Sequence, residues 1–250
     1  MGMPVSIDVR DEVDAAALER AFASLRAADE TFSTYRPDSE ISRLRRGVLD
    51  PASVSPVVAD VLALCETLRL QTDGFFDARA AGPLDPSGVV KGWAVQRAAQ
   101  LLHNAGVRSF YIAAGGDIAL SGKQPWRIGI QHPQRRAKLA CVLEMTSGAV
   151  ATSGAYERGA HVVDPHSGQP PNGVLSVTVL GPDLAIADAY ATAAFAMGRA
   201  GPAWTASLAG YDTMTILEGG RVLCTPGFMD RCPARSPAAS LNACNDRGAR

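Results

Sequence analysis

Residues 184–198, LAIADAYATAAFAMG, follow Gly181-Pro182-Asp183 and read as a helix built almost wholly from Ala, Ile, Phe and Met. Two polar residues interrupt it, Asp188 and Thr192, four apart and therefore on one face. A carboxylate and a hydroxyl among such neighbours are costly unless satisfied. Any fold that takes up this helix must bring partners to the pair or leave it in water. A hard, oxygen-seeking cation such as Mg2+ would satisfy both oxygens. The commoner arrangement has Thr192 bonding back to a helix carbonyl and Asp188 in solvent. Local pattern leaves both open.

A second unusual stretch is residues 149–168, AVATSGAYERGAHVVDPHSG. An apolar run ends in what reads as a small, hydroxyl-rich turn, Thr152-Ser153-Gly154. Tyr156, Glu157 and Arg158 follow, then His161 and Asp164 flank two valines before Pro165 and Ser167-Gly168. A packed core has no use for this mixture, because each buried polar group needs a partner. A loop lining a polar ligand pocket does need it, while a plain surface turn that contains a histidine is the alternative.

Composition narrows the class. Of 250 residues, 47% are hydrophobic and 20% charged, with a net charge of -1, an ordinary globular balance. There is no basic stripe, which argues against nucleic acid or an anionic membrane as partner. No apolar run approaches the roughly 20 residues of a membrane span, so stable insertion is not expected. The five cysteines, at 65, 141, 224, 232 and 244, are odd in number and include no CxxC, so neither a disulfide framework nor a zinc site is indicated. Met1-Gly2-Met3-Pro4 runs directly into the alternating Val5, Ile7 and Val9, without the basic and apolar regions of a signal peptide. As written the chain reads as cytoplasmic, and as exported only if a leader has been trimmed.

Along the chain, residues 3–10 alternate like a half-buried strand. Leu18, Ala21, Phe22, Leu25 and Ala28 recur at helical spacing from Asp14 to about Glu30. Ser39 can cap a short helical turn with Ile41 and Leu44. Ser55-Pro56 starts a helix whose apolar face carries Val57, Val58, Val61, Leu62, Cys65 and Leu68, ended by Gly74. The loop DGFFDARAAGPLDPSGVVKGW then leads into a helix with Val95, Ala98, Ala99 and Leu102 on one face. Gly88 before that helix would let backbone approach a ligand, where the N-terminal amides and Lys91 favour an anion such as phosphate or pyrophosphate. The GxxKG pattern is not a P-loop. Ser109 to Ala114 reads as a buried strand ending in Gly115-Gly116-Asp117, and the glycine pair suits a bulge or a flat ligand against the backbone. Further strands are read around Trp126 to Ile130, Leu139 to Met145 and Leu175 to Leu180, with a hairpin around Gly219-Gly220. After Phe228 the periodicity stops. The expectation is one domain over residues 1–228 and a disordered tail over 229–250.

These segments together resemble the ApbE flavin transferases, the FAD:protein FMN transferases. The resemblance runs from Met1 to about Leu223 and rests on MG before a strand, FSTYRPDSEIS, DGFFD, GPLDPSGVVKGWAV, AAGGDI, ATSG…HVVDPHSG, and SVTV with ADAYAT. It implies an α+β, T-fold-like architecture, with strand layers packed on helices and a flavin site at their junction. It implies FAD as donor, Mg2+ as cofactor, and an acceptor flavoprotein that takes FMN on a Thr or Ser hydroxyl while AMP leaves. By the same resemblance Met1, Tyr35, Phe75, Phe76, Asp77 and Val163 are flavin-side contacts, and Asp85 and Lys91 bind FAD. The Gly88 carbonyl, Asp188 and Thr192 are the metal ligands. The sequence departs from longer members where Pro83-Leu84 abuts Asp85 without an insertion, where Pro86-Ser87 replaces a glycine, and where Ala78-Arg79 stands in place of a threonine. A Mg2+-dependent FAD pyrophosphatase and a flavin-holding protein without turnover are the competing functions.

A Thr hydroxyl is a poor nucleophile at neutral pH, so the transfer benefits from a base. Imidazole, with an ordinary pKa of about 6.5, suits that task. His103 sits near a helix end, His132 precedes a proline in a polar turn, and His166 follows Asp164-Pro165. His161 is the expected general base. Asp164 is the alternative, either as base or as the residue that holds the loop.

Overall fold

The computed structural model describes residues 2–154 and 162–233. Seven strands form one sheet in chain order, and every neighbouring pair is antiparallel. They are β1 (Val5–Val9), β2 (Phe110–Ala114), β3 (Asp117–Gln131), β4 (Leu139–Gly154), β5 (Val174–Gly181), β6 (Asp212–Leu217) and β7 (Val222–Cys224). Between β1 and β2 the chain inserts α1 (Ala15–Phe32), α2 (Glu40–Arg45), α3 (Pro56–Gln71) and α4 (Ser87–Asn104). Between β5 and β6 stand α5 (Leu184–Ala196) and the single-turn α6 (Gly201–Thr205), and α7 (Pro226–Asp230) follows β7. The architecture is α+β, as the resemblance implied.

Local chemistry sets most of these boundaries. The Asp14 carboxylate accepts from the Ala16 N–H, and the Ser39 hydroxyl accepts from the Ser42 N–H, each satisfying an amide that a helix start leaves orphaned. Gly115 and Gly116, with φ of 55° and 91°, form a two-residue hairpin loop in which Ala114 pairs with Asp117. Both loop positions need positive φ, which glycine reaches without strain. The turn therefore fixes Asp117 as the first residue of β3.

Alternation divides the sheet into two faces. Ala114, Ala119, Ala149, Ala151, Val177 and Val179 face the helix layer, which buries Leu25, Val61, Val95, Leu102 and most of α5. Val150, Leu180, Met214 and Ile216 face the other way. β5 pairs with β4 only over Ala149–Gly154, so in the outer arm of the hairpin β3 and β4 have no strand partner but each other. That arm bends at a register shift between Ser121 and Trp126 and lies across the second face. There Cys141 Sγ comes within 3.9 Å of Met214 Sδ on β6. Phe228 of α7, fully buried, closes this second core.

Three expectations change. Thr152-Ser153-Gly154 is the end of a long strand, paired with Thr178, Val177 and Ser176, and not a turn. Small residues carry too little hydrophobic contrast for their alternation to show. The fourth helix starts at Ser87, so Gly88 and Lys91 lie in its first turns instead of before it. Finally, the boundary expected at Phe228 falls inside α7. Arg231 pairs with Asp212 at 2.7 Å, and its carbonyl accepts from the Glu144 N–H at 2.8 Å. The pair is partly exposed, so the two ties together contribute roughly 1–2 kcal/mol. A chain ended after Phe228 should thus melt about 4 °C below one ended after Pro233. Thermal melts of the two truncations check this.

Among the described residues, no helix is long and apolar enough to cross a membrane.

Candidate functional site

The centre of the site is where α4 crosses α5. A Cβ at Gly92 would lie 2.5 Å from the Leu184 carbonyl oxygen and 2.8 Å from Ala185 Cα, so only glycine lets the two backbones meet this closely. One turn on, Gln96 Oε1 accepts from the Leu184 N–H at 3.2 Å. At the other side of the crossing, Lys91 Nζ stands 3.5 Å from Asp188 Oδ1. The helices therefore run antiparallel, and Gly88, one turn before Gly92, lies towards the Asp188 end.

β3 adds a second carboxylate. Lys91 Nζ is 2.6 Å from Asp117 Oδ2, and Asp117 is wholly buried. Its other oxygen, Oδ1, accepts from the Thr152 N–H at 3.1 Å. Burial raises the Asp117 pKa above the ordinary carboxylate value, and the Lys91 ammonium and the Thr152 amide pull against that rise. Asp188 is only 3% exposed. Two buried carboxylates thus share one ammonium, and the trio carries excess negative charge whenever both are ionised. One turn beyond Asp188, Thr192 Oγ1 lies 3.3 Å from Ser153 Oγ on β4. Thr152 and Thr178, on the opposite face of the same strands, exchange a hydroxyl bond at 3.0 Å.

This donor set suits a hard cation. Every side-chain donor is oxygen, the charge imbalance is negative, and hydroxyls flank the carboxylate. Among the described residues no three His, Cys, Asp or Glu side chains gather as a metal cluster. A metal here would therefore rest on Asp188 with neutral oxygens, those of Thr192 and the Gly88 carbonyl, and Mg2+ accepts such a set while keeping its own waters.

Three loops surround this centre. In the DGFFD loop, Phe76 is buried against the start of α4, where a Cβ at Gly88 would lie 3.0 Å from its ring. Phe75 meets His166 edge to face at 4.5 Å between ring centroids. Asp77 accepts from the Arg79 N–H and Asp85 from the Ser87 N–H, so each carboxylate shapes a turn, the second just before α4. Both also lie close enough to Cys65 to add to the effect of burial, which pushes that thiol up to about 12. In the DPHSG loop, Asp164 accepts from the His166 N–H at 2.9 Å and the Ser167 hydroxyl at 2.7 Å. Burial opposes ionisation of Asp164, yet these bonds prevail and its pKa is lowered. Both of its oxygens serve their own turn. Val163 is half-buried beside it. Tyr35, between α1 and α2, is 90% exposed. Met1 and His161 lie outside the described residues.

The structure thus brings Lys91, Asp188, Thr192 and Gly88 to one helix crossing, with Phe76 beside them. Asp117 and Ser153 are additions that sequence reasoning missed. A signal for Asp117 was present in AAGGDI, where a charge directly follows a strand and a glycine pair. Nothing local announced that the strand would bury it.

Comparison with known proteins agrees across sequence and fold. The family model described as the ApbE family matches residues 1–84 and 79–215. The FAD:protein FMN transferase of Vibrio cholerae serotype O1 is 28% identical over 239 residues, covering 70% of this chain and 71% of that protein. Among solved structures, the ApbE protein of Thermotoga maritima MSB8 superposes with a TM-score of 0.82 at 23% identity, covering 92% of this chain and 96% of that one. The flavin transferase ApbE of Vibrio cholerae gives a TM-score of 0.79 at 26% identity, with the same coverage.

Proposed function

The chain belongs to the ApbE family, and from that premise we propose that it moves the FMN moiety of FAD onto a Thr or Ser hydroxyl of a target flavoprotein and releases AMP. The observation that carries this reading is the buried cluster of Asp117, Lys91 and Asp188 at a glycine-mediated helix crossing. Burying two carboxylates costs several kcal/mol each, which packing alone gives a fold no reason to bear. Held by Asp188, Thr192 and the Gly88 carbonyl, a Mg2+ ion would offset charge on the FAD pyrophosphate as it breaks. Lys91, at the same place, favours the bound phosphates, and Asp85 shapes the start of α4 beside them. Phe75, Phe76, Asp77, Val163, Tyr35 and Met1 are the flavin-side contacts of this reading.

The acceptor hydroxyl must lose its proton as its oxygen bonds to phosphorus and the bond to AMP breaks. His161 takes that proton, and its chain neighbour Val162 packs against the helix-side core. Asp164, with both oxygens committed to its own turn, holds the loop instead. FAD binding should survive in His161→Ala and His161→Gln, while transfer falls about a hundredfold or more. The acidic limb of the pH–rate profile near the imidazole pKa should vanish. A variant that keeps that limb moves the base elsewhere.

The function itself is tested by incubating the protein with FAD, Mg2+ and a purified FMN-binding target that carries an attachment Thr, then weighing the target. It should gain one FMN less one water. Free FMN and AMP with an unmodified target would instead make the protein an FAD pyrophosphatase, and bound flavin without turnover a flavin holder.

A further inference from the structure

Three cysteines distant in sequence converge on the second face of the sheet, away from the helix crossing. Cys141 of β4 is 8% exposed and touches Met214. Cys224 of β7 pairs in register with that same Met214. Cys232 follows α7 and packs against the same core, its thiol 3.6 Å from the Phe228 carbonyl. The Glu144 N–H to Arg231 carbonyl bond ties the residue before Cys232 to β4, three residues from Cys141. Cys141 and Cys232 are free thiols. Beside them opens a cavity of about 500 Å³, with Cys224 and Arg231 in its wall.

We propose that Cys141 and Cys232 are a dithiol pair that closes to a disulfide when it meets a disulfide oxidant, pinning the segment after α7 to β4. The order of steps follows from exposure and acidity. Cys232 is half-buried, and the neighbouring Cys141 thiol holds its pKa down while that of Cys141 is raised. The Cys232 thiolate is therefore the group available to attack. It bonds to one sulfur of an oxidised small-molecule disulfide and expels the other as thiolate. Cys141 then gives up its proton and attacks the Cys232 sulfur, expelling the second small thiolate. Two protein thiols are oxidised, one small disulfide is reduced to two thiols, and the two protons pass to the leaving groups. Cys224, packed alongside through Met214, is the neighbour that the pair excludes. This pairing is independent of the flavin chemistry proposed above.

The test treats the full chain with oxidised glutathione, blocks remaining thiols under denaturing conditions, and determines intact mass and a peptide map. The expected product has lost two hydrogens, carries no glutathione, and joins the Cys141 peptide to the Cys232 peptide. The bond closes a loop of about 90 residues, so the oxidised protein should melt roughly 10 °C higher than the reduced one. Cys232→Ser should abolish the cross-link, and Cys224→Ser should leave it intact. The proposal is overturned if wild type keeps both thiols open to blocking, or if it stops at a glutathione adduct on Cys232. It also fails if the link maps to Cys224 or Cys244, or if Cys232→Ser still loses two hydrogens.

Discussion

Asp188→Ala should lower Mg2+-dependent FMN transfer by about a thousandfold or more, roughly 4 kcal/mol of transition-state stabilisation, while the protein stays folded. The carboxylate is the only charged ligand in the proposed set, and the neutral oxygens of Thr192 and Gly88 cannot replace its charge. Folding should not suffer. Without Asp188, Lys91 keeps Asp117 at 2.6 Å and the buried charges become one against one. Transfer rates across a Mg2+ titration, beside melting curves, separate the two effects. Near-normal turnover by Asp188→Asn at low Mg2+ would remove Asp188 from the metal site.

Lys91→Met should act on stability as well as rate. Its ammonium, with the side chain 16% exposed, is the cation between Asp117 and Asp188, which are 0% and 4% exposed. Removing it leaves two buried carboxylates facing each other, a loss of about 3–5 kcal/mol and roughly 10 °C in Tm. Adding Asp117→Asn should recover much of that, because the amide needs no counter-charge. FMN transfer should stay lost in the double variant, since the phosphate contact proposed for Lys91 is gone. If Lys91→Met melts within a degree or two of the parent, the trio is not electrostatically coupled and the energetic account of the site fails.

How far the sequence revealed this arrangement depends on whether a signal is local. Helices with mixed faces, such as α1 and α3, declare themselves through spacing, and Asp14 and Ser39 mark starts because capping is a contact between near neighbours. Asp188 and Thr192 stood out for the same reason, as polar residues in an apolar helix. The long β3–β4 hairpin did not. Its bend interrupts alternation at SGKQP, so one strand of 15 residues reads as a short one. α7 is too short for periodicity, and Phe228 shows its importance only once the second core is assembled. The Lys91–Asp117 pair was out of reach in principle. It joins a helix to a strand start 26 residues away, and no property of either neighbourhood names the other. The turn at Asp164, which commits both carboxylate oxygens to its own loop, was likewise not announced by the sequence.

The contact at Gly92 has a consequence for the timing of the chemistry. Where helices meet through side chains, rotamers can yield and the spacing can breathe. Here backbone meets backbone, with Gly92 against the Leu184 carbonyl, so the spacing of α4 and α5 is set by atoms that have no rotamers to change. The work of setting charges against each other is done once, as the chain folds, and need not be repeated for each FAD that arrives. Such a site has little reorganisation left to perform at the moment of bond breaking.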